Sequence, residues 1–156
     1  MVTPCRKIPF KLRNKLKAEI DKMEGQEVIC TENEPTDWVN AIVTPMKKNG
    51  DLQVCLYARP LNGAIKREHY KLPTREEVMA QFSNAKYFSK MDASKGFWQL
   101  KLDEKSSKLT CFNMPFGRKR FLHLLFGVKS APEIYHKAVH QLFENISGVD
   151  TSMDDI

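Results

Sequence analysis

Leu12, Leu16, Ile20 and Met23 recur at intervals of three and four, with Lys, Arg, Asp and Glu in the gaps. That is the spacing of one apolar stripe on an α-helix, and Gly25 ends it. Glu34-Pro35-Thr36 then signals a turn. The β-forming run Trp38 to Met46 is joined through Asn49-Gly50 to a second run, Leu52 to Tyr57, which predicts a β-hairpin. After Pro73, Thr74-Arg75-Glu76-Glu77 has capping-box form ahead of Val78, Met79 and Phe82, so a short helix is predicted there.

Phe88 to Met91 reads as a strand. Alternation in Leu100 and Leu102, and again in Leu109, Cys111 and Phe112, predicts further strands, and Pro115-Phe116-Gly117 marks a turn before another, Arg120 to Leu125. The middle of the chain is thus expected to be mostly sheet. Ser130-Ala131-Pro132-Glu133 gives the clearest helix start, a capping box with Pro in the first turn. Ile134, Ala138, Val139, Leu142 and Phe143 follow on one face, and the helix is expected to stop near Gly148. Helices and strands mixed without βαβ regularity predict the α+β class.

Composition narrows the possibilities. The 156 residues suit about one domain, and 42% hydrophobic residues exclude a disordered chain. No apolar run approaches a membrane span, and Met1 to Phe10 lacks the apolar core of a signal peptide. An intracellular chain, cytoplasmic or nuclear and without a membrane partner, is therefore expected. A net charge of +6 favours polyanionic partners. Cys5, Cys30, Cys55 and Cys111 stand far apart, so they read as reduced thiols and not as a zinc or disulfide framework. His136 and His140 form a helical i, i+4 pair without a third ligand nearby in sequence, and a solvated helix face is the expected reading.

Two features could carry chemistry: Asp92, directly after the strand Phe88 to Met91, and the adjacent acids Asp154-Asp155. On spacing alone adjacent acids most often mark a solvated turn. The surrounding wording changes that weighting. Lys90-Met91-Asp92-Ala93-Ser94-Lys95-Gly96-Phe97-Trp98-Gln99, Phe112-Asn113-Met114-Pro115-Phe116-Gly117, Ser130-Ala131-Pro132 and Met153-Asp154-Asp155 closely resemble reverse transcriptases of gypsy-type retrotransposons. The resemblance extends, in the family's order, to Trp38-Val39, Lys47-Lys48-Asn49-Gly50, Arg59 with Leu61-Asn62, Ile65 to Tyr70, and Leu72-Pro73-Thr74. It covers nearly the whole chain.

The resemblance implies a fingers and partial palm arrangement, with 1–66 and 98–130 mainly fingers and 67–97 and 131–156 an incomplete palm. It implies an RNA-directed DNA polymerase in which Asp92, Asp154 and Asp155 hold two magnesium ions, with manganese as the alternative metal. Hard carboxylate oxygens are the ligands such ions prefer. Its partners would be an RNA or DNA template-primer and deoxynucleoside triphosphates; a protein partner is left open. Phe97 matches the bulky side chain beneath the incoming sugar, with a core aromatic as the competing reading. Phe126 belongs to the nucleotide-binding positions. Lys47 and Lys48 match positions near the triphosphate or template, against a solvated hairpin tip. Lys66-Arg67, Lys71 and Arg118-Lys119-Arg120 would suit phosphate backbones.

The chain departs from the family pattern at Gln53, where Arg is usual, at Tyr57, where Asp or a similar residue is usual, and at Pro60, a non-proline position. Leu125 replaces a Pro, and Ser152 a Tyr. Gln53 cannot reproduce a charge-assisted guanidinium contact, so weakened nucleotide binding is expected. The Asp pair lies in a hairpin turn in this family, and the returning strand, thumb and ribonuclease H domain are not in the sequence. A weak or inactive polymerase fragment is therefore expected. The alternatives are a non-catalytic nucleic-acid-binding module and a non-functional relic of a decayed element.

Overall fold

A computed structural model describes residues 1–46, 50–71, 73–83 and 85–151. It has mixed helices and short strands in two compact units, Met1–Ile65 with Phe97–Val128, and Lys66–Gly96 with Lys129–Ile156.

In the first unit the predicted amphipathic helix is α1, Phe10–Gly25, which buries Leu16, Ile20 and Met23. Three such side chains taken from water stabilise the unit by about 5–8 kcal/mol before entropic costs. Strands β1 (Ile29–Thr31), β2 (Ala41–Val43) and β3 (Cys55–Tyr57) follow, then the short helix α2, Arg59–Ala64. The predicted hairpin forms: β2 and β3 pair antiparallel with Ala41 opposite Tyr57 and Val43 opposite Cys55. After α3 (Arg75–Gln81) of the second unit in chain order, helix α4 (Glu104–Leu109) leads into β4 (Phe112–Met114) and β5 (Gly117–Phe121). The three-stranded sheet runs β1-β5-β4, all antiparallel.

Asn40 joins the hairpin to that sheet. It is buried, and its side-chain amide donates to the carbonyls of Leu109 (2.9 Å) and Cys111 (3.0 Å). Such a pairing is what a buried amide requires. The core gathers Leu16, Ile20 and Met23 with Ile29, Leu56, Phe112, Phe121 and Leu125.

Several expectations need correction. Among the described residues Phe88 to Met91 forms no strand; Tyr87 is 93% and Phe88 66% exposed, so this stretch lacks the burial that a packed strand has. The stretch 104–109 is helical, because the Asp103 carboxylate caps it by accepting from the Ser106 backbone at 3.0 Å. Leu100 to Leu102 contributes only a bridge, Lys101 to His123. The strand expected over 120–125 begins instead at Gly117, because pairing resumes directly after the two-residue turn at Pro115-Phe116.

The second unit contains α3, Arg75–Gln81, and α5, Ala131–Phe143. The Thr74 capping box is complete in both directions. At α5 it is absent. Ser130 Oγ donates to the Lys66 carbonyl at 3.3 Å and the Glu133 carboxylate accepts from Arg67 at 2.7 Å, so both would-be capping groups are engaged elsewhere. The helix ends at Phe143, ahead of the weak helix formers Asn145, Ser147 and Gly148. Its packed face carries Ala131, Glu133, Tyr135, His136 and Val139, whereas Leu142 is 73% exposed.

Candidate functional site

In the first unit the structure brings two predicted nucleotide-binding residues together. Phe97 is buried, and its ring centroid lies 4.8 Å from that of Phe126, with the planes tilted by 40°. Phe126 remains 41% exposed. Two hydrogen bonds fix its loop: the Phe126 carbonyl accepts from the Leu56 backbone N–H at 3.3 Å, and the Gly127 carbonyl from the Asn62 side-chain amide at 2.8 Å. Strand β3 and helix α2 thus hold an aromatic pair with one buried and one accessible ring. Chemically, such a pair offers an apolar face for a flat or sugar-like group and no proton-transfer capacity.

In the second unit Asp92 is exposed at the end of the extended segment. A tight turn follows, in which the Gly96 N–H donates to the Ala93 carbonyl at 3.2 Å. Gly96 faces Tyr135 of α5 so closely that a Cβ would stand 2.5 Å from the phenol oxygen. The loop after Asp92 is therefore held against α5 by the absence of a side chain. An exposed carboxylate on a braced loop suits a hard cation. No group of three or more His, Cys, Asp or Glu that could hold a metal occurs among the described residues. Asp154, Asp155, Ser152, Lys47 and Lys48 lie outside the described residues.

The basic groups expected on phosphates are mostly engaged with protein acceptors. Lys119 is 8% exposed and donates at 2.7 Å to both Glu24 carboxylate oxygens and to Thr31 Oγ1. Its ammonium and the Thr31 hydroxyl hold the Glu24 carboxyl below its ordinary pKa. Arg120 lies 2.9 Å from Glu32, Arg118 donates to the Glu34 carbonyl and Asn113, and Arg67 and Lys71 pair with Glu133 and Glu77. These charges stitch elements together, a use within the fold for groups that were also expected to suit phosphate backbones.

Three departures have local explanations. The Arg6 guanidinium lies 4.1 Å above the Tyr57 ring, a cation–π contact that a carboxylate could not make in that form. Pro60 sits in the first turn of α2, where its missing N–H is no loss. Leu125 is a core residue, 2% exposed. Gln53 is half-buried, with its backbone N–H donating to the Pro45 carbonyl at 2.9 Å.

The sequence reading missed a buried polar cluster. His136 is 1% exposed and not solvated, and its Nδ1 has no hydrogen-bond partner among the described residues. Its ring lies 5.8 Å from Tyr70 and 6.1 Å from His140, and Tyr70 Oη is 3.3 Å from His140 Nδ1. These residues line one cleft with Asp150, whose Oδ2 is likewise buried without a partner among the described residues. Burial, with His140 adding to it, pushes the His136 pKa down, while Asp150 opposes the shift. The signal was present in the spacing, since His136 stands three residues before Val139 on the packed face.

Comparison with known proteins adds the context. The family model described as reverse transcriptase (RNA-dependent DNA polymerase) matches residues 45–156. An uncharacterized protein of Caenorhabditis elegans is 29% identical over 155 residues, covering 97% of this chain and 12% of the relative. The retrovirus-related Pol polyprotein from transposon opus of Drosophila melanogaster is 28% identical over 145 residues, 90% of this chain and 14% of the relative. The chain thus spans about an eighth of the length of these relatives. The foamy viral protease-reverse transcriptase, solved in complex with double-stranded DNA, is similar in fold, with a TM-score of 0.87 at 21% identity over 99% of this chain and 27% of that one. Among the described residues no helix is long and apolar enough to cross a membrane.

Proposed function

Because the chain belongs to the reverse transcriptase (RNA-dependent DNA polymerase) family, we propose that it serves template-directed DNA synthesis as part of a gypsy-type retrotransposon polymerase. The family match over residues 45–156 carries this reading, since that range takes in Asp92, Asp154 and Asp155 together. Similarity to a transposon Pol polyprotein supports the retroelement origin. On this reading the first unit corresponds to fingers and the second to palm.

Asp92, Asp154 and Asp155 would hold magnesium, which when bound activates a primer hydroxyl and balances the charge of departing pyrophosphate. The exposure of Asp92 supports its assignment, because a carboxylate that must meet both ion and substrate cannot be buried. Phe97, held in place by packing against Phe126, would present bulk to the sugar of an incoming deoxynucleotide. Lys47 and Lys48 would meet its triphosphate as cations. The template-primer would be RNA or DNA.

The test is primer extension by the 156-residue chain on an RNA template with Mg²⁺, beside an Asp92→Asn variant. Whatever extension the fragment supports is expected to fall at least about a thousandfold in the variant, because an amide supplies no charge to a two-metal site. Extension equal in both proteins would remove Asp92 from the chemistry. A second reading, a non-catalytic nucleic-acid-binding module, is favoured by Gln53, whose neutral amide stands where the family has a guanidinium. A folded protein that binds template-primer without extending it would select that reading.

A further inference from the structure

Tyr135 is 3% exposed, on the packed face of α5. A Cβ built on Gly96 would stand 2.5 Å from the Tyr135 hydroxyl oxygen and 2.6 Å from its Cζ. The tip of the ring therefore fills the place of the side chain that Gly96 lacks. The helix is itself anchored at its start, where Ser130 Oγ donates to the Lys66 carbonyl and the Glu133 carboxylate accepts from Arg67. A buried ring on an anchored helix has little room to move, because packed interiors transmit a displacement and do not absorb it.

The chain on the other side of this contact is strained. Lys95 has a φ of +53°, in the left-handed region, which a residue with a side chain adopts at an energetic cost. Lys95 is exposed, so burial of its side chain does not offset that cost. The Gly96 N–H donates to the Ala93 carbonyl at 3.2 Å and closes the turn 93–96 directly behind Asp92. Backbone strain of this kind persists where surrounding structure over-determines it, and the Tyr135 ring on Gly96 is such a constraint. Asp92 is exposed, so packing does little to aim its carboxylate, and its direction follows from the backbone of this turn. Magnesium demands near-octahedral geometry at about 2.0–2.1 Å, which a carboxylate on a drifting backbone does not supply.

We infer that Tyr135 is a positioning residue for the Asp92 carboxylate. Its ring, seated on Gly96, keeps the turn 93–96 from relaxing and so sets the direction from which Asp92 meets a divalent cation. The inference rests on the reading of Asp92 as a metal ligand. Tyr135 itself meets neither ion nor nucleotide in this role, and it acts through four residues of backbone.

The test is the affinity of the full chain for Mn²⁺ alone, followed by the electron paramagnetic resonance signal of the free ion, at a temperature where melts show every variant folded. Tyr135→Leu removes the ring from Gly96, and Gly96→Ala pushes on the same contact from the other side. Each is expected to raise the Mn²⁺ dissociation constant about tenfold, the scale of loss when a group that orients a metal ligand is removed. Tyr135→Phe keeps the ring in place and is expected to stay within about threefold of the parent chain. Val139→Ala truncates another buried residue one turn further along α5, and a change below about twofold is expected. In an Asp92→Asn background, Tyr135→Leu is expected to add no further loss, because its effect passes through that carboxylate. Parent-like affinity in both Tyr135→Leu and Gly96→Ala would overturn the inference. So would an equal loss in Val139→Ala, or losses that add in the double variant. Should Tyr135→Leu not fold, Gly96→Ala in both backgrounds carries the same comparison. An Asp92→Asn chain that binds Mn²⁺ as tightly as the parent would instead remove the metal reading itself, and the positioning role with it, so the two failures are distinguishable.

Discussion

Gly127 lies so close to Leu56 that a Cβ on it would stand 2.2 Å from the Leu56 carbonyl oxygen, and its φ of +105° is one that side chains rarely adopt. The obstacle is backbone in the middle of β3, which cannot swing aside. Gly127→Ala is therefore expected to cost about 3 kcal/mol of unfolding free energy, from strain and steric displacement together. Urea denaturation measures this, and a loss below about 0.5 kcal/mol would show that the loop carrying Phe126 is not fixed as described.

How much of this was legible in the sequence depended on whether the deciding contact was local. The Thr74 capping box is specified by residues three apart and forms as expected, and β2 and β3, close in sequence, pair as the expected hairpin. Helix α4 was also local, signalled by Asp103 ahead of Glu104, but the apolar alternation at Leu109, Cys111 and Phe112 obscured it. Ser130 and Glu133 failed as a capping box because their partners, Lys66 and Arg67, lie more than sixty residues away. The same holds for Arg118-Lys119-Arg120, a basic run on paper whose acceptors Glu24, Glu32 and Glu34 come from α1 and the loop around β1. The candidate site divides similarly. Resemblance named Phe97, Phe126 and Asp92, while the burial of His136 required the fold.

Glu24 joins α1 to the sheet through Lys119 and Thr31, at 2.7 Å and 3.0 Å. Glu24→Gln would leave an ammonium that is 8% exposed facing a neutral amide. A loss of about 2 kcal/mol is expected, less than for a fully buried pair because the Glu24 side chain is 39% exposed. The Glu24 pKa is depressed in the folded state, so its contribution is present above the ordinary value of 4.5 and is lost as pH falls through the folded value. Denaturation at pH 7 and pH 3 should therefore show a smaller difference between variant and parent at the lower pH.

Phe97 tests packing against sugar recognition. As a buried ring stacked on Phe126, its replacement by Ala is expected to cost about 3 kcal/mol. If it also bears on an incoming sugar, Phe97→Val should keep more stability while admitting ribonucleotides more readily in primer extension. Destabilisation with unchanged discrimination between ribo- and deoxynucleotides would leave Phe97 a core residue alone.

His136 makes the second unit sensitive to mild acid. Its ring is packed in neutral form, with His140 on its own helix, Tyr70 from the segment after α2 and Asp150 from the segment after α5 around it; Lys71 and Glu77 line the same cleft. Burial lowers its pKa from 6.5, so the unfolded chain binds a proton where the folded chain does not. The stability this contributes is fully present above about pH 6.5 and is lost as pH falls through the folded value. Thermal melts between pH 8 and pH 5 are expected to show a falling Tm that flattens in His136→Phe. In Asp150→Asn the fall should become steeper, because the carboxylate that favours the imidazolium is gone. The loss begins below 6.5 for His136 and only below 4.5 for Glu24, so the two contributions set in at different points of one titration. A Tm independent of pH over this range in the parent chain would show that the His136 ring is solvated after all.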